Sequence, residues 1–339
     1  MDRLRNREFT FFSYLVLFLP LSVFSCATVK VPCTVMHPAE INMSRYKQVA
    51  IDEFRGNAGP DVRDLVKEHL INSGRLELVD RSHMDKVQRE LSFAQTDATA
   101  STDKPELGKL AAVSAIIAGN INGDYDETME SSRGTCTRTD SNGKSYEVTC
   151  TSYTRKGKYR VGGNLDVIDV ETGKTIKSKP LSALEEASES ATDEQPDAID
   201  RDRLYSVCVR QIADDFARTI LPWSSTEEVA YKTCGDIPEL ERGIDKVKVG
   251  ETDEAIGIFR TAAEDAEKNP EVKPDDIAIA YWDLALAYEY SLRFDESILA
   301  LKKAQDLHPD DKFVEEIKTV KRRAAETKRL QEQQAAPSN

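Results

Sequence analysis

The spacing of hydrophobic positions along this 339-residue chain changes several times, and each change marks an element. YKQVAIDEF (46–54) is a short apolar run that predicts a buried strand. VRDLVKEHLINSG (62–74) puts Val62, Leu65, Val66, His69 and Leu70 on one helical face and closes on Gly74, a residue suited to a helix end. RLELVDR (75–81) alternates as a strand does. SHMDKVQRELSF (82–93) predicts a helix with Ser82 and Asp85 in a capping-box-like arrangement. A short helix over 106–113 and a buried strand over 114–122 follow. Beyond Asp124 the period becomes two: 144–154 and 157–170 predict antiparallel strands, and LDVIDV-ETG-KTI a hairpin. LEEASESATDEQPDAID (184–200) is acidic and reads as a solvated loop. Residues 202–223 return to helical spacing through Leu204, Val207, Cys208, Ile212 and Phe216, and Pro222 ends the helix.

From 237 to 325 the pattern is helical throughout and resembles tetratricopeptide (TPR) repeats, pairs of helices with fixed small and large positions. Starting at Ala278, Tyr281, Leu284, Tyr288, Leu301 and Ala304 take the conserved-type positions, Ala285 and Ser297 the two small ones, and Pro309 the end of the second helix. A weaker earlier pair has Gly243 and Ala255 at the small positions 8 and 20, with Phe259 at position 24 and Ala262 at position 27. Residues after Pro309 would cap the array, with a disordered tail over 326–339. In such repeats the concave face would be lined by Ile279, Trp282, Leu286 and Glu289, and in the weaker pair by Ile237, Leu240, Ile244 and Val247. That stripe is read either as a groove for a peptide or helix of an envelope protein, or as a surface packed on the chain's own cap or first domain.

At the other end, Arg3, Arg5 and Arg7 precede the almost uncharged FTFFSYLVLFLPLSVFS and then Cys26. A basic segment, an apolar segment and a small residue before a cleavage point predict an export signal. Leu21–Cys26 resembles a bacterial lipobox, with Val23 and Phe24 where that family carries Leu and a small residue. The resemblance implies cleavage before Cys26, a diacylglycerol with palmitate-type chains on its thiol, and a lipid-anchored protein at the outer membrane facing the periplasm. Ordinary signal cleavage and an uncleaved anchor are the alternatives. Residues 27–45 are expected to be a tether, and 224–236 a linker between domains.

The chain has 46 basic and 60 acidic residues, a formal charge of −14. That excludes a nucleic-acid partner, whose phosphates need a basic surface, and leaves a lipid as the route to a membrane. Export permits disulfides. Cys136 and Cys150 flank Asn142-Gly143, a hairpin-turn signal, and are expected to pair opposite each other. The chain holds no CxxC, Walker loop or GxSxG, and its four histidines lack metal-ligand spacing. Asp52 and Glu53 are neighbours on a strand and point to opposite faces. The expectation is therefore a protein that is not an enzyme and needs no cofactor or metal.

VAIDEF, then LINSGRLELVDR, then RELSF, then LAAVSAIIAGNI, then LDVIDVETGKTI resembles the curli-secretion lipoprotein family (CsgG-like), with the LpoB and TolB N-terminal domains among its relatives. The resemblance covers about 46–220 and implies an α+β fold: a CsgG-like α/β sandwich over 46–223, a mixed sheet packed by helices, followed by the all-α repeats. It implies nothing catalytic. It leaves two roles, an interaction or scaffold factor in envelope assembly, or an oligomeric secretion-channel component. Channel members insert amphipathic hairpins, and the corresponding residues 128–160 lack an apolar residue at every second position. A homo-oligomer is compatible with either role.

Overall fold

The computed structural model describes residues 26–46, 48–80 and 113–335. The export signal up to residue 25, the helices expected over 82–93 and 106–112, and the last four residues lie outside the described residues. The described chain forms seven strands and seven helices. It divides into two compact units. One comprises residues up to Thr34 and Thr226–Ala324; the other comprises Val35–Ser225 and the residues from Ala325.

The second of these is the α/β unit. Its five-stranded sheet has the order β3-β2-β4-β5-β6, with β2 Gln48–Arg55, β3 Glu77–Asp80, β4 Ala115–Thr139, β5 Ser145–Asp169 and β6 Thr175–Thr192. β2 pairs in parallel with β3 and β4, and β4, β5 and β6 are antiparallel neighbours. Helix α1 (Gly59–Ser73) lies over β2, β3 and β4, and α2 (Arg201–Ile220) over β5 and β6. The periodic residues explain the layering. Val62, Val66 and Leu70 of α1 and Leu204, Cys208, Ile212 and Phe216 of α2 are buried against Val49, Ile117, Ile121, Val161 and Leu165. α1 carries Pro at its first turn and ends on Gly74 at φ 61°. Asp200 caps α2, its side chain accepting from the Arg203 N–H.

Three expectations are corrected here. First, the strands expected over 144–154 and 157–170 are one strand, β5. β4 and β5 are each 25 residues long and pair without interruption from Ala115↔Asp169 to Thr139↔Ser145. Second, the acidic run is a loop only from Asp193. Its first part, Leu184–Thr192, completes β6, an edge strand whose charged side chains suit exposure. Third, Cys136 and Cys150 are bonded but not opposite each other. The turn is centred on Asn142, so Cys136 faces Val148 and Cys150 faces Gly134, and the bond runs diagonally with Cα atoms 5.9 Å apart.

The position of that bond has a consequence. β6 last pairs at Ser152↔Thr192, so the tip formed by 133–139 and 145–151 has only two strands. Two-stranded hairpins are marginal in water. Closing a loop of this size is worth roughly 3 kcal/mol by the chain-entropy account. Replacing both cysteines with serine is expected to speed amide exchange in the tip and leave the melting of the α/β unit almost unchanged. A large drop in melting temperature would show the tip to be integral to the core.

The helical unit contains α3 Glu239–Lys248, α4 Thr252–Lys268, α5 Pro274–Tyr290, α6 Phe294–Leu307 and the first part of α7 Asp311–Gln334. Short connections bring successive helices back against each other, and α3, α4, α5 and α6 pack in sequence. Small residues set the approach. A Cβ on Gly243 would lie 2.3 Å from the Phe259 ring, and Ala255, Ala285 and Ser297 are fully buried. α7 runs to Gln334, so residues 326–334 are helix where a disordered tail is expected. Glu, Gln, Lys, Arg and Leu dominate that stretch and favour helix.

The tether and linker are corrected too. Ala27–His37 is strand β1, Trp223–Thr233 is strand β7, and the two pair in a two-stranded sheet. Val31, Val229 and Tyr231 of this ribbon are buried in the same core as the helices, with Val29 and Cys33 packed against it. Pro32 is tolerated because the ribbon offers only edge positions.

Candidate functional site

The concave stripe of the helical unit is the strongest site the sequence offers, and the structure fills it. Ile237, Leu240, Ile244, Val247, Leu286 and Glu289 are buried, and Ile279 and Trp282 are half-buried against the same core. The occupant is the chain's own β7, with α7 beside it. Trp282 Nε1 donates to the Ala230 carbonyl at 3.3 Å and its ring lies 5.7 Å from that of Phe313. The Tyr231 ring stacks at 5.9 Å on Phe259. Asp283, fully buried, accepts from the Lys232 backbone N–H at 3.0 and 3.2 Å. Tyr290 reaches Glu227 at 3.3 Å. The groove reading is thus corrected in favour of internal packing. The physical reason is that α5 is apolar nearly all round, and such a helix is enclosed on every side.

The polar groups of this interior are electrostatically loaded. Burial drives the Asp283 carboxyl well above the usual carboxylate range, although the Lys232 N–H opposes the shift. Glu289 is pushed up from 4.5 to about 8, first by burial and then by Glu316 on α7, with Arg323 pulling the other way. Arg323 Nε sits 3.1 Å from Glu289 Oε1, and Glu227 of β7 faces the same group. The folded state therefore keeps a proton on Glu289 through a range where the unfolded chain has lost it. Its stability contribution falls as pH rises through that interval. Thermal melts should show the helical unit losing stability between pH ~5 and ~8. Glu289→Gln, which stays neutral, should flatten that slope; an unchanged slope would assign it to another group.

At one corner of the same unit three potential ligand atoms meet. Cys26 Sγ is 3.0 Å from Cys234 Sγ and 3.5 Å from Asp276 Oδ1, and Cys234 Sγ is 3.1 Å from that oxygen. Cys26 is exposed, while Cys234 and Asp276 are buried. Burial, Cys26 and Asp276 together raise the Cys234 thiol, which is protonated at neutral pH. The sequence places Cys26 and Cys234 more than 200 residues apart and carries no signal for this meeting.

The other expected features are ordinary. His69 pairs with Asp214 at 2.8 Å, His308 with Asp275 at 2.8 Å, and His37 stacks on Trp223 at 4.2 Å. Asp52 and Glu53 are exposed. No catalytic constellation is assembled among the described residues.

The long hairpin carries polar chemistry along its outer half. Arg155 pairs with Glu127 at 2.6 Å, Lys156 with Glu130 at 2.8 Å and Lys158 with Glu186 at 2.5 Å. One face of β4 there presents Met129, Ser131, Arg133, Thr135 and Thr137, and the other Thr128, Glu130, Ser132, Gly134, Cys136 and Arg138. Neither is an apolar band. No helix among the described residues is long and apolar enough to cross a membrane.

Comparison with known proteins adds the following. Residues 29–193 match the family model described as curli production assembly/transport component CsgG. No curated protein matches the chain. Among solved structures, a minor lipoprotein from Acinetobacter baumannii is 10% identical, over 51% of this chain and 91% of that one, at a TM-score of 0.20. Lipoprotein GNA1162 from Neisseria meningitidis is 12% identical, over 50% and 97%, at 0.20. The hypothetical protein CT253 from Chlamydia trachomatis is 13% identical, over 51% and 96%, at 0.18. At TM-scores of this size the three bear on neither fold nor function. What the family match adds to the sheet and helices described above is a likeness over just under half of the chain: residues 29–193 are similar to CsgG.

Proposed function

We propose that the chain is a lipid-anchored cell-envelope protein that acts by binding another envelope protein, in assembly or secretion, and not by catalysis. The match of residues 29–193 to an assembly/transport component is the observation that carries this reading. The basic and apolar leader ending at Cys26 supplies the anchor. In that step the Cys26 thiol takes a diacylglyceryl group from a phospholipid, its proton leaving as the phosphate headgroup departs. Outer-membrane residence fits Ala27, the residue that follows the anchor. Helices α3–α6 are two TPR-type pairs on this reading, with Gly243, Ala255, Ala285 and Ser297 as their small positions.

With that face filled, we assign the partner surface to the α/β unit, whose hairpin of two 25-residue strands offers exposed polar side chains. The hairpin's length also suits the channel-component reading. Its faces do not, because a lipid-facing strand alternates apolar residues. Crosslinking and pull-down from intact envelopes, with the wild type beside a variant lacking 128–156, tests the choice. Loss of a specific partner supports the interaction role, whereas ion-conducting oligomers from the wild type alone support the channel.

The anchor is tested separately. Cys26→Ala is expected to accumulate as a slower-migrating precursor, while the wild type partitions into detergent. Normal processing of the variant would refute lipidation.

A further inference from the structure

The anchoring cysteine is joined to the helical unit without a spacer. β1 begins at Ala27, immediately after Cys26, and pairs with β7. Val31, five residues on, is 2% exposed in the helical core. Lys30 pairs with Glu228 across the ribbon at 2.8 Å. Cys26 itself rests on Cys234 and Asp276, at the first turn of α5.

We propose, on the basis of the lipid-anchor reading, that acylated Cys26 stays at this corner and holds it against the headgroup layer of the bilayer. The helical unit is then fixed at the membrane surface and does not swing on a tether. The chemistry permits it. A thioether sulfur has no proton to donate, but Asp276 keeps the Cys234 S–H as a donor at 3.1 Å. Cys26 is exposed, so its acyl chains can leave the protein. Lifting the unit away would require β1 to peel from β7, uncovering Val31 and breaking the Lys30–Glu228 pair. Lys232, Asp236, Glu271, Lys273 and Asp275 flank the corner in sequence with both signs of charge. Zwitterionic headgroups such as phosphatidylethanolamine fit that mixture better than anionic ones, which bind polybasic surfaces.

The test uses the full-length lipidated protein in phosphatidylethanolamine vesicles containing a headgroup-labelled acceptor lipid. A fluorescent amino acid is incorporated at Lys273, exposed and three residues before Asp276. A Gly-Ser insertion of roughly 20 residues after Ala27 adds about 25 Å of reach. The wild type should show strong energy transfer, and the insertion should cut it by about half or more while both proteins co-float with the vesicles. Co-flotation with transfer unchanged by the insertion overturns this proposal and leaves the anchor standing. Failure of the wild type to co-float overturns the anchor and this proposal with it.

Discussion

Trp282→Ala combined with Leu286→Ala is expected to unfold the helical unit. Trp282 holds the Ala230 carbonyl through its indole N–H and packs on Phe313, and Leu286 is 4% exposed. Truncating a buried Leu costs about 2–5 kcal/mol and a Trp about 3–5, with the half-buried Trp282 near the low end. The two are one turn apart and share neighbours, so their costs will not simply add. Even the lower figures approach the ~5–15 kcal/mol that stabilises a whole domain. Urea titration followed by circular dichroism should show an early transition for the helical unit and a later one for the α/β unit. A double variant that unfolds like the wild type would restore the stripe as a free surface.

Gly56→Ala is expected to be the corresponding break in the α/β unit. Gly56 follows β2 at φ 88°, and a Cβ there would stand 2.1 Å from the Ile121 carbonyl oxygen and 2.8 Å from Asn122 Oδ1. The turn cannot move aside easily. Asn57 Nδ2 donates to the Gly123 carbonyl at 2.8 Å, and the Ala58 N–H donates to Ile121 at 3.2 Å. Left-handed backbone at a non-glycine residue and overpacking each cost about 1–3 kcal/mol, so a loss of ~3 kcal/mol is expected. Gly74→Ala is the control. It shares the positive φ, at 61°, but nothing lies within 4 Å of the new Cβ. Its cost should be about 1–2 kcal/mol, that of the left-handed backbone alone. Equal losses in the two variants, measured by denaturant midpoint, would remove the steric argument.

The elements legible in the sequence are those whose signal is local. α1, α2 and α4–α6 display their buried face within three or four turns, and β2 and β4 begin as compact apolar runs. β1 and β7 were not legible because neither carries a sufficient pattern alone. VKVPC offers one buried and two half-buried residues, and VAY two buried ones; only their pairing across some 200 residues makes a strand of each. The outer halves of β4 and β5 hide for a related reason. Their exposed Thr, Ser and charged residues look like loop until the register is known. The apolar stripe read as a groove on α3 and α5 is core in the structure. What the sequence could not show was its occupant, since the Asp283–Lys232 and Trp282–Ala230 hydrogen bonds join α5 to main chain that any residue supplies. The same applies to Cys26, Cys234 and Asp276.

The ribbon of β1 and β7 makes the α/β unit an insertion within the helical one. A chain is made from its amino end, so β1 appears first and its partner strand only about 200 residues later. In the interval Val31 has no core to enter, whereas the inserted unit can already close its sheet. Assembly therefore has an imposed order: the middle of the chain folds first and the two ends join afterwards. The late step depends on a long-range encounter, which is slow by comparison with local helix pairing. A fragment ending near residue 223 should yield the sheet with a loose leading strand, and a fragment beginning near 237 would lack two of the strands its helices enclose.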